Sequence, residues 1–227
     1  MNQRDKVINR FEKAVNTSLD NHRELVLALF GKRRKASLET VLVEQLVLST
    51  TVAWEAFVSD LFVAYIAMKP KTYLDSLEKR INESITAKFG KSVARLTRFE
   101  RQLSLSPNKI AILVDPGGWN ISLSSADKLA SKANNMLHAT FAKKFSLDAD
   151  DGAFIDFAVA LRNFLGHRSA MSRRSLTEAH KKLGLGKNTP FNGPISNLGT
   201  YLKEKDATKK SRALLYAKRL IKVANTL

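Results

Sequence analysis

The chain contains no cysteine, which excludes a disulfide framework and any metal site built from thiolates. Its 227 residues can bury about 70 % of the unfolded surface, so a stable core needs neither disulfides nor a structural metal. The lack of cysteine suits the reducing cytoplasm, where disulfides rarely persist. Residues 1–15 are polar and amphipathic and lack the apolar run of a signal peptide. We therefore expect a cytoplasmic protein.

Long uncharged apolar runs are also lacking. Residues 38–68 form the most apolar part of the chain, but acidic residues divide it into stretches much shorter than the ~20 residues that a membrane helix needs. These residues are Glu39, Glu44, Glu55 and Asp60. We expect a buried helix here and no membrane partner.

Acidic residues are scarce relative to basic ones. The sequence has 38 Lys and Arg against 21 Asp and Glu, a net charge of +17. Such a charge favours polyanionic partners, either nucleic acid or an acidic membrane surface. The alternative is a basic protein with no nucleic-acid role.

Apolar residues recur at helical spacing throughout the chain, and no strand alternation or repeat competes with them. The patterns predict an all-α bundle of about six to seven helices in one domain, 1–227. Its core spans about 38–183, and an extension of further helices spans about 195–227. A Pro- and Gly-rich segment, 104–121, is the predicted loop. The first predicted helix ends at Phe30. The others cover 37–68, 72–103, 126–144, 148–165, 175–184 and 195–227. We expect a weak point at Gly90 in the helix over 72–103 and a break near Asp206 in the last one.

One short motif carries the strongest functional signal: Arg162-Asn163-Phe164-Leu165-Gly166-His167. An arginine with a histidine five to seven positions later is expected about once by chance in a chain of this composition. A rival pair exists, because Arg173 and Arg174 precede His180 at suitable spacing. Requiring asparagine directly after the arginine lowers the chance expectation to about 0.05 matches, and only Arg162 meets that requirement.

The spacing of the motif raises a geometric question. In a continuous helix, side chains five positions apart diverge by ~140°. Because glycine readily leaves helical angles, we expect the helix to end at Leu165 and Gly166 to return His167 toward Arg162. Arg168 would add a second cation. We interpret His180 as a surface residue, and His22 and His138 likewise.

The motif resembles that of the HEPN superfamily, whose all-helical and usually dimeric domains carry an Arg and a His separated by four to six residues. The second residue of that motif is typically Asn, Asp or His, and Asn163 fits. The segment Val52-Ala53-Trp54-Glu55-Ala56-Phe57 is similar to the early helix of the larger HEPN relatives of the RiboL-PSP group. The resemblance covers roughly residues 40–180.

The resemblance implies a metal-independent endoribonuclease without a cofactor, acting on RNA as a homodimer. His167 would move protons, Arg162 would stabilise charge on the phosphorus, and Asn163 would position the phosphate or His167. Imidazole, which titrates near ~6.5, suits attack by a ribose 2′-OH, and guanidinium suits the charged phosphorane. The family also implies a toxin or phage-defence setting, with any antitoxin or partner protein unidentified.

Glu55 is a further candidate, with a supporting role. Glu44, Thr51 and Glu55 form a narrow polar line on an apolar helix, and a carboxylate near a core requires a partner. We expect Glu55 to pair with Arg162, the alternative being a solvent-exposed face.

Four basic residues and Arg168 are candidate RNA contacts. In one continuous helix, the four would lie in a single ~80° sector; they are Lys88, Lys91, Arg95 and Arg98. A solvated charged face explains such a stripe equally simply. Trp119 is a candidate for base stacking or dimer contact.

No metal site is expected, because the acids at 148–151 lack the pattern of a calcium loop and suit a helix N-terminus. Two other functions remain open. One is a nucleic-acid-binding module without catalysis; the other is a helical interaction protein in which Arg162 serves a structural ion pair.

Overall fold

A computed structural model describes residues 2–100, 105–117, 124–184 and 190–227 of the chain. These ranges contain eleven α-helices, one short 3-10 helix and no strand, which confirms the all-α prediction. The helices are α1 Gln3–Ala28, α2 Lys35–Met68, α3 Lys71–Phe89, α4 Lys91–Leu96, α5 Pro107–Val114, α6 Ala126–Met136, α7 Ala139–Ala142, the 3-10 helix Lys143–Phe145, α8 Ala149–His167, α9 Ala170–Gly184, α10 Leu198–Lys203 and α11 Arg212–Thr226.

Helix α2 lies at the centre of the bundle. Helices α1, α5, α8, α10 and α11 all pack against it. Its 13 buried residues include Trp54, whose ring packs against Phe11 of α1 and Phe57. One continuous apolar core runs from Val7 to Leu227, so α1 and the two helices after residue 195 belong to the same core as the central helices.

Helix α2 is also long and apolar enough to cross a membrane, as core helices of soluble proteins often are. Half of its most apolar 18-residue window is buried inside the protein. The described structure is thus consistent with a soluble protein, and cytoplasmic location stays a prediction.

The helices outnumber the six to seven expected because several predicted stretches are interrupted. Gly90, at φ 85°, separates α3 from α4, which ends at Leu96 instead of near residue 103. The loop predicted at 104–121 contains α5, which begins with Pro107 and is capped by the Ser106 hydroxyl. The stretch predicted at 126–144 breaks after Met136. The last stretch breaks around Asp206, as expected.

Several predicted helix starts are shifted. Helix α2 begins at Lys35, two residues before the start predicted at residue 37, and the helix predicted from residue 195 begins at Leu198. Helix α9 begins at Ala170 because Ser169 and Ser172 exchange backbone-to-hydroxyl hydrogen bonds of 3.1 Å each. The helix therefore begins five residues before the start predicted at residue 175.

The end of α8 differs most from the prediction. The helix begins at the expected N-cap, Asp148, but it continues through Gly166 and His167. It stops only at Arg168, which adopts the left-handed conformation (φ 49°, ψ 23°) and donates its N–H to the Phe164 carbonyl. The expected turn at Gly166 is therefore wrong.

Candidate active site

Arg162 lies on the side of α8 that faces α2 and is held there by two side chains. Its Nε is 3.6 Å from Glu55 Oε1, and its Nη1 donates to Asn163 Oδ1 at 3.1 Å. The expected pairing of Glu55 with Arg162 is thus present. The Glu55 side chain is 19 % exposed and that of Arg162 is 39 % exposed. The guanidinium is positioned by the protein but remains open to a ligand.

A second ion pair joins the same two helices. Arg168 Nη2 lies 2.5 Å from Glu44 Oε2, and the Arg168 guanidinium lies over the Phe164 ring, 5.2 Å from its centroid. Between the two glutamates, Thr51 is fully buried and hydrogen-bonds to the Tyr216 hydroxyl. The polar line on α2 therefore faces the protein, with each glutamate opposite an arginine at the end of α8.

Burial dominates the electrostatics of Glu55. It raises the pKa of this carboxyl above the ordinary 4.5, while the positive charge of Arg162 opposes the shift. A raised pKa means that the folded protein holds the Glu55 proton more tightly than the unfolded chain does. Protonation of Glu55 would release Arg162 from its only acidic partner among the described residues.

We expect Glu55→Gln to alter how stability depends on pH. Because the folded pKa of Glu55 is raised, its stabilising contribution is fully present below the unfolded pKa and is lost as pH rises through the folded pKa. The wild type should therefore lose stability relative to the variant as pH rises above the ordinary 4.5 of this carboxyl and through its raised folded pKa. Urea unfolding of both proteins across this range measures the difference, in which contributions from other titrating groups cancel. A difference that stays constant with pH would contradict the assignment.

His167 occupies the last turn of α8 and is exposed. Since the helix is continuous from Arg162, the two side chains leave it ~140° apart. His167 forms no side-chain hydrogen bond or ion pair with another residue of the ranges that the structure describes. A single chain therefore presents a fixed guanidinium and an imidazole without a partner among the described residues, and the two point in different directions.

The other histidines differ from their predicted surface role. His180 is half-buried, with Nε2 within 2.7 Å of the Phe191 carbonyl and 3.1 Å of the Tyr201 hydroxyl. His22 is half-buried as well, and burial lowers its pKa. His138 Nδ1 accepts the Thr140 N–H at the start of α7. All three side chains are half-buried against neighbouring residues, whereas the His167 side chain is exposed.

The basic residues proposed for RNA contact are exposed, but not on one helical face. Lys88 lies on α3, Lys91 and Arg95 lie on α4 beyond the bend at Gly90, and Arg98 follows the end of α4. The single-sector argument is therefore wrong, because it assumed an uninterrupted helix. Their contact with RNA stays a prediction, and Trp119 lies outside the described residues.

Sequence reasoning placed Arg173 only in the rival pair with His180 and missed its position beside the motif. Arg173 follows the short turn after α8, and its Nη2 donates to the Ser196 carbonyl. Arg168, Arg173 and Phe164 border a cavity of about 190 Å³. The pairing of Ser169 with Ser172 was the available signal, since an earlier start to α9 places Arg173 in its first turn.

Among the described residues, no group of three or more His, Cys, Asp or Glu side chains is arranged to hold a metal ion. Comparison of the chain with protein-family models, curated proteins and solved structures found no significant match.

Proposed function

We propose that the protein is a HEPN-type endoribonuclease that cleaves RNA without a metal ion, through attack of a ribose 2′-OH on the adjacent phosphorus. The observation that supports this most is the guanidinium of Arg162. Glu55 and Asn163 hold it at a partly open surface, five residues before an exposed histidine that has no partner among the described residues. The net charge of +17 supplies the attraction for the RNA backbone.

The reaction needs both a base and an acid. The base removes the proton of the 2′-OH, the 2′-oxygen bonds to phosphorus, and the bond to the 5′-oxygen breaks as the acid protonates that oxygen. A single exposed imidazole serves one role at a time. A two-fold homodimer that places two α8 ends together would supply two His167 side chains and two Arg162 side chains, because an isologous interface duplicates each residue about its axis.

Because α8 is continuous, the proposed reaction depends more strongly on a second protomer. Arg162 and His167 diverge by ~140° on one α8, so a phosphate that contacts Arg162 of one protomer is more readily reached by the partner's His167. Asn163, which accepts from Arg162 at 3.1 Å, retains its amide N–H groups for the phosphate.

The two ion pairs between α8 and α2 support a second candidate function. Arg162 and Arg168 each pair with a glutamate of α2, as expected if they serve only to join the two helices. In that case the protein would be a basic helical interaction protein or a nucleic-acid-binding module without catalysis.

The proposal predicts cleavage of RNA but not of DNA. With EDTA present, a single-stranded RNA should be cut to products that end in a 2′,3′-cyclic phosphate. A matched strand with 2′-deoxynucleotides at the mapped cleavage sites should remain intact there, because it lacks the nucleophile. Gel analysis of both strands, with mass spectrometry of the new ends, makes the measurement. Cleavage at the deoxy positions would refute the mechanism, and binding without cleavage would favour the module.

The biological setting forms part of the proposal only through the HEPN resemblance. It implies a cytoplasmic toxin or phage-defence effector, with no membrane partner and with its antitoxin or defence partner unidentified.

A further inference from the structure

The cavity beside the end of α8 is built from four separate parts of the fold. Helix α8 contributes Phe164 and Arg168, α9 contributes Arg173, and α2 contributes Thr40. The fourth wall is the start of α10, where Asn197 caps the helix. Gly199 allows α10 to approach α2 so closely that even a methyl group at this position would overlap the Thr40 side chain. The walls are therefore packed against one another and preformed.

The backbone at the cavity mouth is strained. Helices often end with a left-handed residue, and glycine or asparagine usually takes that position because a larger side chain adds a steric cost. Here Arg168 takes it, at φ 49°. Glu44 and the Phe164 ring hold its guanidinium. Such strain is concentrated where a side chain must be placed for a ligand.

The chemistry of the lining suits one nucleotide. Arg168 and Arg173 outnumber the single acid, Glu44, so the cavity favours an anion. The Arg168 guanidinium, which lies over the Phe164 ring, is the kind of planar surface on which unpaired RNA bases stack. Asn197 Oδ1 accepts the Thr200 N–H, which leaves its amide donors for a base edge.

The cavity is large enough for one base but too small for a longer piece of RNA strand. The volume of the cavity is about 190 Å³. It is smaller than the ~300–1,000 Å³ of sites that enclose a drug-sized ligand. One base with part of its sugar is accommodated, whereas a longer piece of strand must continue across the surface.

We propose that this cavity binds one nucleotide of the RNA strand, next to the phosphate that is cut, and that it gives the enzyme a base preference. The proposal rests on the proposed ribonuclease function. Arg168, which lines the cavity, directly follows His167 in the chain, so the cavity lies beside the last turn of α8, which carries the imidazole.

Filling the cavity tests the proposal. Thr177 is an exposed lining residue on α9, and Thr177→Trp places an indole in the space; Ser175→Trp adds the same side chain to an exposed position of α9 that does not line it. Binding of AMP, CMP, GMP and UMP is measured by saturation-transfer NMR, with inorganic phosphate as a comparison ligand. One nucleotide should bind best, and Thr177→Trp should weaken it by about 5- to 150-fold, the range expected for loss of one base stack. Ser175→Trp should match the wild type.

A second variant covers the case in which Thr177→Trp does not fold. Asn197→Asp keeps an N-cap for α10, because aspartate caps as well as asparagine, but places a negative charge in the cavity. It should weaken nucleotide binding, whereas Ser175→Asp should not. Equal binding of inorganic phosphate and all four nucleotides would overturn the proposal, as would binding that no cavity variant changes.

Competition and cleavage mapping separate this site from the cleavage chemistry. RNA should displace the bound mononucleotide; if it does not, the site serves a free nucleotide and the proposal is overturned. Sequencing of RNA ends should show a preferred base next to the cut, lost in Thr177→Trp and kept in Ser175→Trp. If wild-type protein binds a nucleotide in the cavity, RNA displaces it and no RNA is cut, the ribonuclease proposal fails while the strand-binding site stands.

Discussion

Replacing His167 with alanine is expected to lower the rate of RNA cleavage by about 10²- to 10⁴-fold, the usual contribution of a general acid or base. The side chain is exposed and forms no side-chain hydrogen bond or ion pair with the rest of the described structure, so its removal costs the fold little. Substitutions at such surface positions usually change stability by less than about 0.5 kcal/mol. The loss of rate should therefore occur without a shift in the urea midpoint. Single-turnover cleavage of a defined RNA in EDTA provides the measurement.

His138→Asn is the matched control for this variant. His138 caps α7 through its ring nitrogen, and asparagine replaces that acceptor well. The control should cleave RNA at the wild-type rate. Unchanged cleavage in His167→Ala would remove His167 from the mechanism, and the activity would then belong to another site or to a contaminating nuclease.

Replacing Arg162 with alanine is expected to lower cleavage by about 10²- to 10³-fold, as removal of one donor to a transition-state oxyanion does. Unlike His167, Arg162 also supports the fold. Its loss leaves Glu55, only 19 % exposed, without its charged partner. We expect a loss of about 1 kcal/mol in unfolding free energy at neutral pH, measured by urea unfolding alongside the cleavage assay.

The double variant Arg162→Ala with Glu55→Gln separates the two roles of the arginine. Glutamine removes the unpaired charge, so the double variant should recover stability relative to Arg162→Ala. Its cleavage should stay low, because no guanidinium faces the phosphate. Recovery of cleavage together with stability would instead show that Arg162 acts only as a structural ion-pair partner, which is the second candidate function.

Sequence reasoning found the partner of Glu55, although it left a solvent-exposed face open as the alternative. A carboxylate on an apolar helix needs a partner, and Glu55 does lie opposite Arg162. It failed at Gly166, because the helical cost of one glycine is only about 1 kcal/mol and the flanking turns of α8 pack on the core through Leu161, Phe164 and Leu165. Local preference for a turn was weaker than the packing of the helix.

The start of α9 shows a different limit of prediction from sequence, the choice between two possible N-caps. Two serine-based cap patterns lie six residues apart, one from Ser169 to Ser172 and the other from Ser175 to Glu178. Sequence alone favours the pattern from Ser175 to Glu178, because a glutamate three residues after the N-cap completes a capping box. The structure uses the first. The cavity follows from that choice and from the approach of α10 to Thr40, which are contacts between distant segments that no local pattern contains.

The first and last helices of the described chain are joined directly. Arg4 donates to the Asn225 carbonyl and to the Tyr65 hydroxyl, and Asn225 donates to Glu12. During synthesis on a ribosome, α2 therefore remains without part of its packing until α11 has left the exit tunnel. Any activity that depends on α2 holding Arg162 would therefore also depend on α11 being in place against the core.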